Sequence, residues 1–382
     1  MAVLLAACGG TGTVPHQSSG TVVSRFGVVG NRGAIAQLEL STPTVVSGIS
    51  GEVVQIATSN SDGYALTSTG AVWAWGVNVY GELGDGTASP FATRAVKVDF
   101  PAGVKITSLA NPMPFDGALA IDSYGHAWGW GLNLEGDLCL TGLQELRPGQ
   151  LPLSGVTLAT GALTHSLFDS DGQIYACGSG TYGVLGNGTT TGSPTPTAVV
   201  GLPSSARVTA LTSSWGGAGA LLSNGSYYNW GYNDAGQLGN GSTTDSDLPV
   251  RVGLTAGVRE VFQGGSGPTN GQTIAILTNG SVWMWGNNAK GQLGNGSRVS
   301  SDVPVKVDVP SGVTFVKVNS GGYSSYAIDN SGRLWAWGGN QNGQLGTGTG
   351  TRIETHPVDV GVHLTQVSST ASNVAAFERN SR

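Results

Sequence analysis

Residues 73–86 read Trp-Ala-Trp-Gly-Val-Asn-Val-Tyr-Gly-Glu-Leu-Gly-Asp-Gly, and the frame set by Trp75, Gly76, Asn78, Gly81, Leu83 and Gly84 recurs along the chain. It returns at Trp130, Gly131, Asn133, Gly136 and Leu138, then at Cys177, Gly178, Gly183, Leu185 and Gly186. Further copies start at Trp230, Trp285 and Trp337, and a worn one at Phe26 and Gly27. Anchors at 26, 75, 130, 177, 230, 285 and 337 are spaced 49, 55, 47, 53, 55 and 52 residues apart. That is close to the period of roughly 40 to 50 that marks four-stranded propeller blades. In the clearest copy the apolar runs are Val53 to Ala57, Tyr64 to Thr67, Ala71 to Trp75 and Ala95 to Val98, each bounded by turn formers, which reads as strands joined by hairpins. A glycine stands five residues before six of the anchors, and Asp171-Gly172 and Asn279-Gly280 read as hairpin pairs with positive φ at both residues.

The last copy stops at Arg382 before any Trp strand, while residues 20–27 supply such a strand at the other end. Pairing the two ends leaves no open sheet edge. The expected fold is therefore all-β: a seven-bladed β-propeller of four-stranded blades, the ring closed by an N-terminal strand completing the last blade. Residues 20–382 form that single domain.

Composition narrows function. Only 10% of the 382 residues are charged and 63 are glycine; Asp plus Glu outnumber Lys plus Arg by 23 to 17. The acidic balance argues against a nucleic-acid partner, and no apolar run reaches the roughly 20 residues of a spanning helix. Residues 1–7 end in Leu-Ala-Ala before Cys8, which resembles the remnant of a bacterial lipoprotein signal shorter than usual and without its basic segment. Cys8 is the expected lipidation site, residues 8–19 a flexible tether, and the localisation extracytoplasmic, with membrane contact through the lipid anchor alone. Cys139 and Cys177 fall where other copies carry Gly and Trp. They read as small buried thiols, with a disulfide left open.

The WxWGxNxxGxLGxG frame, with its upstream glycine, resembles the RCC1-type repeat of the regulator of chromosome condensation family over nearly all of residues 20–382. The resemblance implies a seven-bladed propeller closed by both chain ends. It implies no single function: the eukaryotic prototype promotes nucleotide exchange on a small GTPase and docks on chromatin, and a secreted bacterial relative covers the active-site cleft of β-lactamases. Members often carry a His twelve residues before the anchor; only His165 fits that place here.

The five histidines are scattered, no metal-ligand spacing, GxSxG or P-loop occurs, and the carboxylates sit mostly at turns. No cofactor and no catalytic residues are expected, and the chain is read as a non-enzyme. Asn-Gly-Ser and Asn-Gly-Thr triplets at Asn187, Asn224, Asn240, Asn279 and Asn295 read as turn chemistry. The Trp anchors share one repeat phase and are expected to pack between blades. Loops between the first and second runs break the repeat: Asn60-Ser61-Asp62, Met113-Pro114-Phe115-Asp116, Leu163-Thr164-His165, Trp215-Gly216, Gly267-Pro268-Thr269-Asn270, Tyr323-Ser324 and Ser372-Asn373. Equivalent loops must share one face. Phe115, Trp215 and Tyr323, with Met113, His165, Asp62 and Asn270, are the expected contacts for a protein partner. Tyr80, Tyr182 and Tyr232 are weaker candidates on loops assigned to the other face. The leading expectation is a lipid-anchored protein-binding scaffold. The alternatives are an inhibitor of a secreted hydrolase, or a glycan-binding or cell-wall-binding propeller in which Trp215 and Phe115 stack on sugar rings.

Overall fold

Short runs of Val, Ile, Ala and aromatic residues, cut by glycines that take positive φ, cannot form helices of useful length and instead pair with their neighbours along the chain. A computed structural model describes residues 22–24, 44–59, 62–265, 267, 270–341, 343–348, 351–363, 366–369 and 374–377. Among them the only helical element is one 3-10 turn, Thr181–Gly183. Cys8, the tether, Phe26, Gly27, Asn60, Ser61, Pro268, Thr269, Ser372 and Asn373 lie outside the described residues.

Six antiparallel four-stranded sheets follow one another, each a meander of consecutive strands: residues 53–97, 106–150, 156–198, 208–251, 258–306 and 315–363. These are called the first to sixth blades. First strands of neighbouring blades contact one another, except that the first strand of the third blade meets mainly the second strand of the second blade. In every blade the pairing of first and second strands slips by one residue after its first pair, as between Val53 and Gln55 or Phe315 and Lys317. A bulge repeated at one place is a feature of the unit.

The expectation of seven equivalent blades, the last completed by one N-terminal strand, needs correction. Six blades are formed from contiguous chain. The two ends meet in a further sheet assembled two plus two: Thr44–Val46 and Val22–Ser24 from one end, Val374–Phe377 and Gln366–Ser369 from the other. Its strands are three or four residues long, and its C-terminal pair packs against the first strand of the first blade. The worn copy at Phe26 hid this arrangement, because the second N-terminal strand carries no part of the frame.

The frame residues act between and within blades. The anchors Trp75, Trp130, Trp230, Trp285 and Trp337 are fully buried, as their shared phase requires. Trp130, Trp230, Trp285 and Trp337 donate their indole N–H to the carbonyls of Glu82, Val184, Gln237 and Gln292 in the preceding blade, at 2.8–2.9 Å. Each such carbonyl lies seven residues after the preceding anchor. Two residues further on is a glycine whose missing side chain makes room for the same ring. A Cβ at Gly84, Gly186, Gly239 or Gly294 would stand 2.6–2.8 Å from Trp130, Trp230, Trp285 or Trp337.

One boundary is built otherwise. Between the second and third blades Cys177 takes the anchor place and Cys139 the glycine place, and they form a disulfide with Cα atoms 5.6 Å apart. Cys139 keeps the backbone of the glycine it replaces, with φ +54° against +63° to +66° at the four equivalent glycines. A ring-over-glycine contact has been exchanged for a covalent one. The question left open by the sequence is settled in favour of pairing.

Candidate functional site

A four-stranded meander sends the first-to-second and third-to-fourth connections to one side and the second-to-third turns to the other. The third-to-fourth loops therefore share the face of the variable first-to-second loops. Tyr80, Tyr182 and Tyr232 belong to the candidate face, contrary to their assignment from sequence.

In five of the six blades the third-to-fourth loop is held from inside by the frame Asn. The Oδ1 atoms of Asn78, Asn133, Asn233, Asn288 and Asn340 accept the backbone N–H of Leu83, Leu138, Leu238, Leu293 and Leu345 at 2.8–3.1 Å. The third blade has Gly180 at this place and uses the 3-10 turn, with Tyr182 at φ +64°. Further along, the Asn of the Asn-Gly-Ser/Thr triplets accepts the N–H two residues on, as at Asn187, Asn224, Asn240, Asn279 and Asn295. That is the turn chemistry expected. At Asp171-Gly172 both residues take positive φ, whereas at Asn279-Gly280 only the glycine does. The latter is a five-residue connection closed by Gly280 N–H to the Leu277 carbonyl, so the two-residue reading of that turn is corrected.

The predicted contact residues divide by burial. Tyr323 is exposed, and Phe115 and Trp215 are half-buried. Met113, Asp62, His165 and Asn270 are buried. Met113 Sδ accepts the Leu119 N–H, Asp62 Oδ2 accepts the Ser59 hydroxyl at 2.7 Å, and Asn270 Oδ1 accepts the Gly267 N–H at 2.9 Å. These four cannot touch a partner directly; they brace the loops from beneath. His165 opens the second strand of its blade opposite Gly178, as Asp62 does opposite Gly76. It matches Asp62 and not Gly63 because the following hairpin is one residue shorter, so counting back from the anchor misplaced it. Burial pushes its imidazole down to about 4, which leaves it neutral at physiological pH.

Two buried carboxylates underlie the same loops. Glu82 and Asp137 occupy one frame position, seven after the anchor, where the fourth and fifth blades carry Gln237 and Gln292. Burial pushes each carboxyl up to about 7. Glu82 Oε2 accepts the Tyr80 N–H as Gln237 Oε1 accepts Ala235 N–H and Gln292 Oε1 accepts Lys290 N–H. The folded state thus holds the Glu82 proton between its ordinary value of 4.5 and about 7, and stability falls as pH rises through that window. Glu82→Gln keeps the acceptor and removes the titration. It is expected to stabilise the fold by about 2 kcal/mol at pH 8 and by little at pH 5, checked by urea denaturation at the two pH values; equal shifts at both would refute the assignment.

The structure brings together a trio that the sequence left apart. Tyr182, Trp215 and Tyr232 come from two loops of the fourth blade and one of the third, with ring centroids 4.7 Å (Tyr182 to Tyr232), 5.5 Å (Tyr182 to Trp215) and 5.7 Å (Trp215 to Tyr232) apart. Beside it an open groove of about 580 Å³ runs between the fourth and fifth blades, lined by Tyr232, Asp234, Thr243, Asn287, Ser300 and Asp302. Exposed apolar residues gather on the same side. Tyr80, Leu134, Leu143, Val299 and Tyr323 lie in its loops, and Phe91, Leu248 and Val303 near the adjoining ends of outer strands. The opposite side has Tyr124, Val200 and Val54. Among the described residues no three His, Cys, Asp or Glu side chains are grouped to hold a metal.

Comparison with known proteins agrees with this architecture. The model for the regulator of chromosome condensation (RCC1) repeat matches residues 171–221, 224–267, 279–328 and 331–377. The chain is similar to the ultraviolet-B receptor UVR8 of Arabidopsis thaliana, 28% identical over 344 residues, which are 86% of this chain and 76% of that protein. It is also similar to the E3 ubiquitin-protein ligase HERC2 of Mus musculus, 25% identical over 79% of this chain but spanning 6% of HERC2. Among solved structures, human WBSCR16 superimposes with a TM-score of 0.79 at 19% identity, covering 94% of this chain and 98% of that one. Prp20p of Saccharomyces cerevisiae gives 0.77 at 19% identity, covering 94% and 92%.

Proposed function

The chain belongs to the regulator of chromosome condensation repeat family, and on that premise we propose that it is a protein-interaction scaffold with no chemistry of its own, binding through the face that carries its variable and third-to-fourth loops. The observation behind this reading is the uneven distribution of exposed apolar side chains. Five stand in the loops of one face, with Leu143 70% and Val299 75% exposed, and side chains so exposed on loops gain nothing from folding. Apolar anchors among small polar residues are what a partner buries. The same fold serves protein binding elsewhere: Prp20p is described with its binding to Gsp1p and histones.

We place the protein outside the cytoplasmic membrane, anchored by acyl chains on Cys8. The Leu-Ala-Ala-Cys signal supports this. So does the Cys139–Cys177 disulfide, since such bonds persist in oxidising compartments. Expression of the full precursor with radioactive palmitate should label it, and Cys8→Ser should abolish the label. Absence of label from the unaltered precursor would remove the anchor.

The face is tested by exchanging Tyr80, Leu134, Leu143, Val299 and Tyr323 together for Ser. Affinity capture from the native envelope should lose its partner with this variant and keep it with Tyr124→Ser on the opposite side, at unchanged melting temperature. A partner retained by the five-fold variant overturns the reading.

A further inference from the structure

We propose that the groove between the fourth and fifth blades, with the Tyr182–Trp215–Tyr232 trio at its edge, receives an arginine side chain from an extended segment of the partner protein. This rests on the protein-binding reading above and names the chemistry of the partner at one place on the face.

Three observations converge. The trio is held, not incidental: the backbone N–H of Trp215 donates to the Gly265 carbonyl of the fifth blade at 3.1 Å, which fixes its loop, and the Tyr232 hydroxyl donates to Asp234 Oδ2 at 2.7 Å. Tyr182 keeps a left-handed backbone, φ +64°, a conformation that costs a bulky residue free energy and persists where the surroundings demand it. Its ring gains a place against both partners in return. Trp215 and Tyr182 remain half-exposed, so the trio offers aromatic surface next to Tyr232, the member that lines the groove.

The groove is negative and uncompensated. Asp234 and Asp302 line it and Asp245 lies close by, its Oδ1 accepting the Asn233 N–H. Among the described residues none of the three is in an ion pair. Of the cations of the adjoining 287–300 loop, Arg298 donates twice to the Ala289 carbonyl, and among the described residues neither it nor Lys290 is in an ion pair. Burial, with Asp234 beside it, raises the Asp245 carboxyl, and burial, with the Asp234 hydrogen bond and charge, raises the Tyr232 hydroxyl. Burial disfavours charge of either sign; the Asp234 contribution is the part that a positive charge would relieve.

A guanidinium meets all of these at once. It is planar, stacks on aromatic faces, and presents a fork of N–H donors to a carboxylate; the Asn287 Oδ1 beside it already accepts from Ala289 N–H and Gln292 Nε2, so the carboxylates are the acceptors that matter. An anionic partner is repelled. A neutral sugar could stack on Trp215 but would leave the carboxylates without a counter-charge.

The experiment titrates the full chain with the hexapeptide Gly-Ser-Arg-Gly-Arg-Ser, followed by calorimetry and tryptophan fluorescence, beside the same peptide with citrulline for arginine and a chito-oligosaccharide. Binding of the arginine peptide, at least tenfold weaker binding of the neutral citrulline isostere, and a fall in affinity between 50 and 300 mM salt are expected. Asp234→Asn with Asp302→Asn should weaken it at least tenfold. Tyr182→Gly suits the backbone at that position and should weaken it too, which keeps the test usable if the double variant does not fold. No binding by the wild type, equal binding of the citrulline peptide, or response to the saccharide alone overturns the proposal. If the arginine peptide fails while the five-fold face variant still loses its captured partner, the groove assignment falls and the face stands; if the five-fold variant also keeps its partner, both fall.

Discussion

Replacing the cysteine pair by the residues that the other boundaries use, as Cys139→Gly with Cys177→Trp, should give a folded ring whose melting temperature no longer responds to dithiothreitol. The wild type should lose about 3–4 kcal/mol on reduction, the chain-entropy estimate for a loop of 38 residues. The single exchanges are the informative controls. Cys177→Trp alone places an indole against a Cys139 side chain where four other boundaries have no side chain at all, and since a Cβ at those glycines would stand only 2.6–2.8 Å from the ring, the misfit is gross. Cys139→Gly alone leaves a small thiol where a Trp should fill the boundary. Both singles should melt below the double replacement. Non-additivity of this sign is the signature of two residues that substitute as a unit. If the double replacement melts no higher than the worse single, the two places are not equivalent to the Gly–Trp contact.

The second large effect is expected at an intact boundary. Trp285→Ala removes a fully buried ring, its hydrogen bond to the Gln237 carbonyl at 2.9 Å, and the atoms that cover Gly239. Core Trp-to-Ala exchanges cost roughly 3–5 kcal/mol; the Gln237 carbonyl keeps its second donor, Asn229 Nδ2 at 2.8 Å, so the loss is mainly one of packing. Trp215→Ala, on the loop face, should cost well under half as much, because that ring is half-exposed. Denaturant melts of the two variants should separate clearly. Similar losses for both would mean that Trp215 is part of the boundary packing and not of a surface trio.

The repeat was legible because its glycines answer to geometry: a left-handed backbone or an approaching ring leaves no room for another residue, so the spacing survives. Burial of the anchors followed from their phase alone. The candidate contacts were harder, since first-to-second loops that look free in sequence tuck their ends under the face. Met113, Asn270, Asp62 and His165 are polar or irregular without being exposed. His165 was further displaced by a one-residue shortening of a hairpin, which no count from the anchor can detect. The Tyr182–Trp215–Tyr232 trio escaped notice because its members come from two kinds of loop, and only the parity of a four-stranded meander puts both kinds on one side. The end sheet was misread for want of any frame residue in Thr44–Val46. The disulfide had a signal after all: Cys139 and Cys177 stand at the two frame positions that touch across four other boundaries, but that contact becomes visible only once the indole rings are seen over the glycines.

The Asn that ties five of the third-to-fourth loops to the Leu five residues later does so wholly within its own blade. Three residues beyond the Leu, the N–H of Gly86, Gly241 or Gly296 donates to the fourth strand of the next blade, so it is the stretch past that second contact that can be lengthened, shortened or transplanted without consulting the neighbouring unit. Such a surface can be recomposed segment by segment, so a lineage built on this ring is free to change what it grips while inheriting unaltered the means by which it stands.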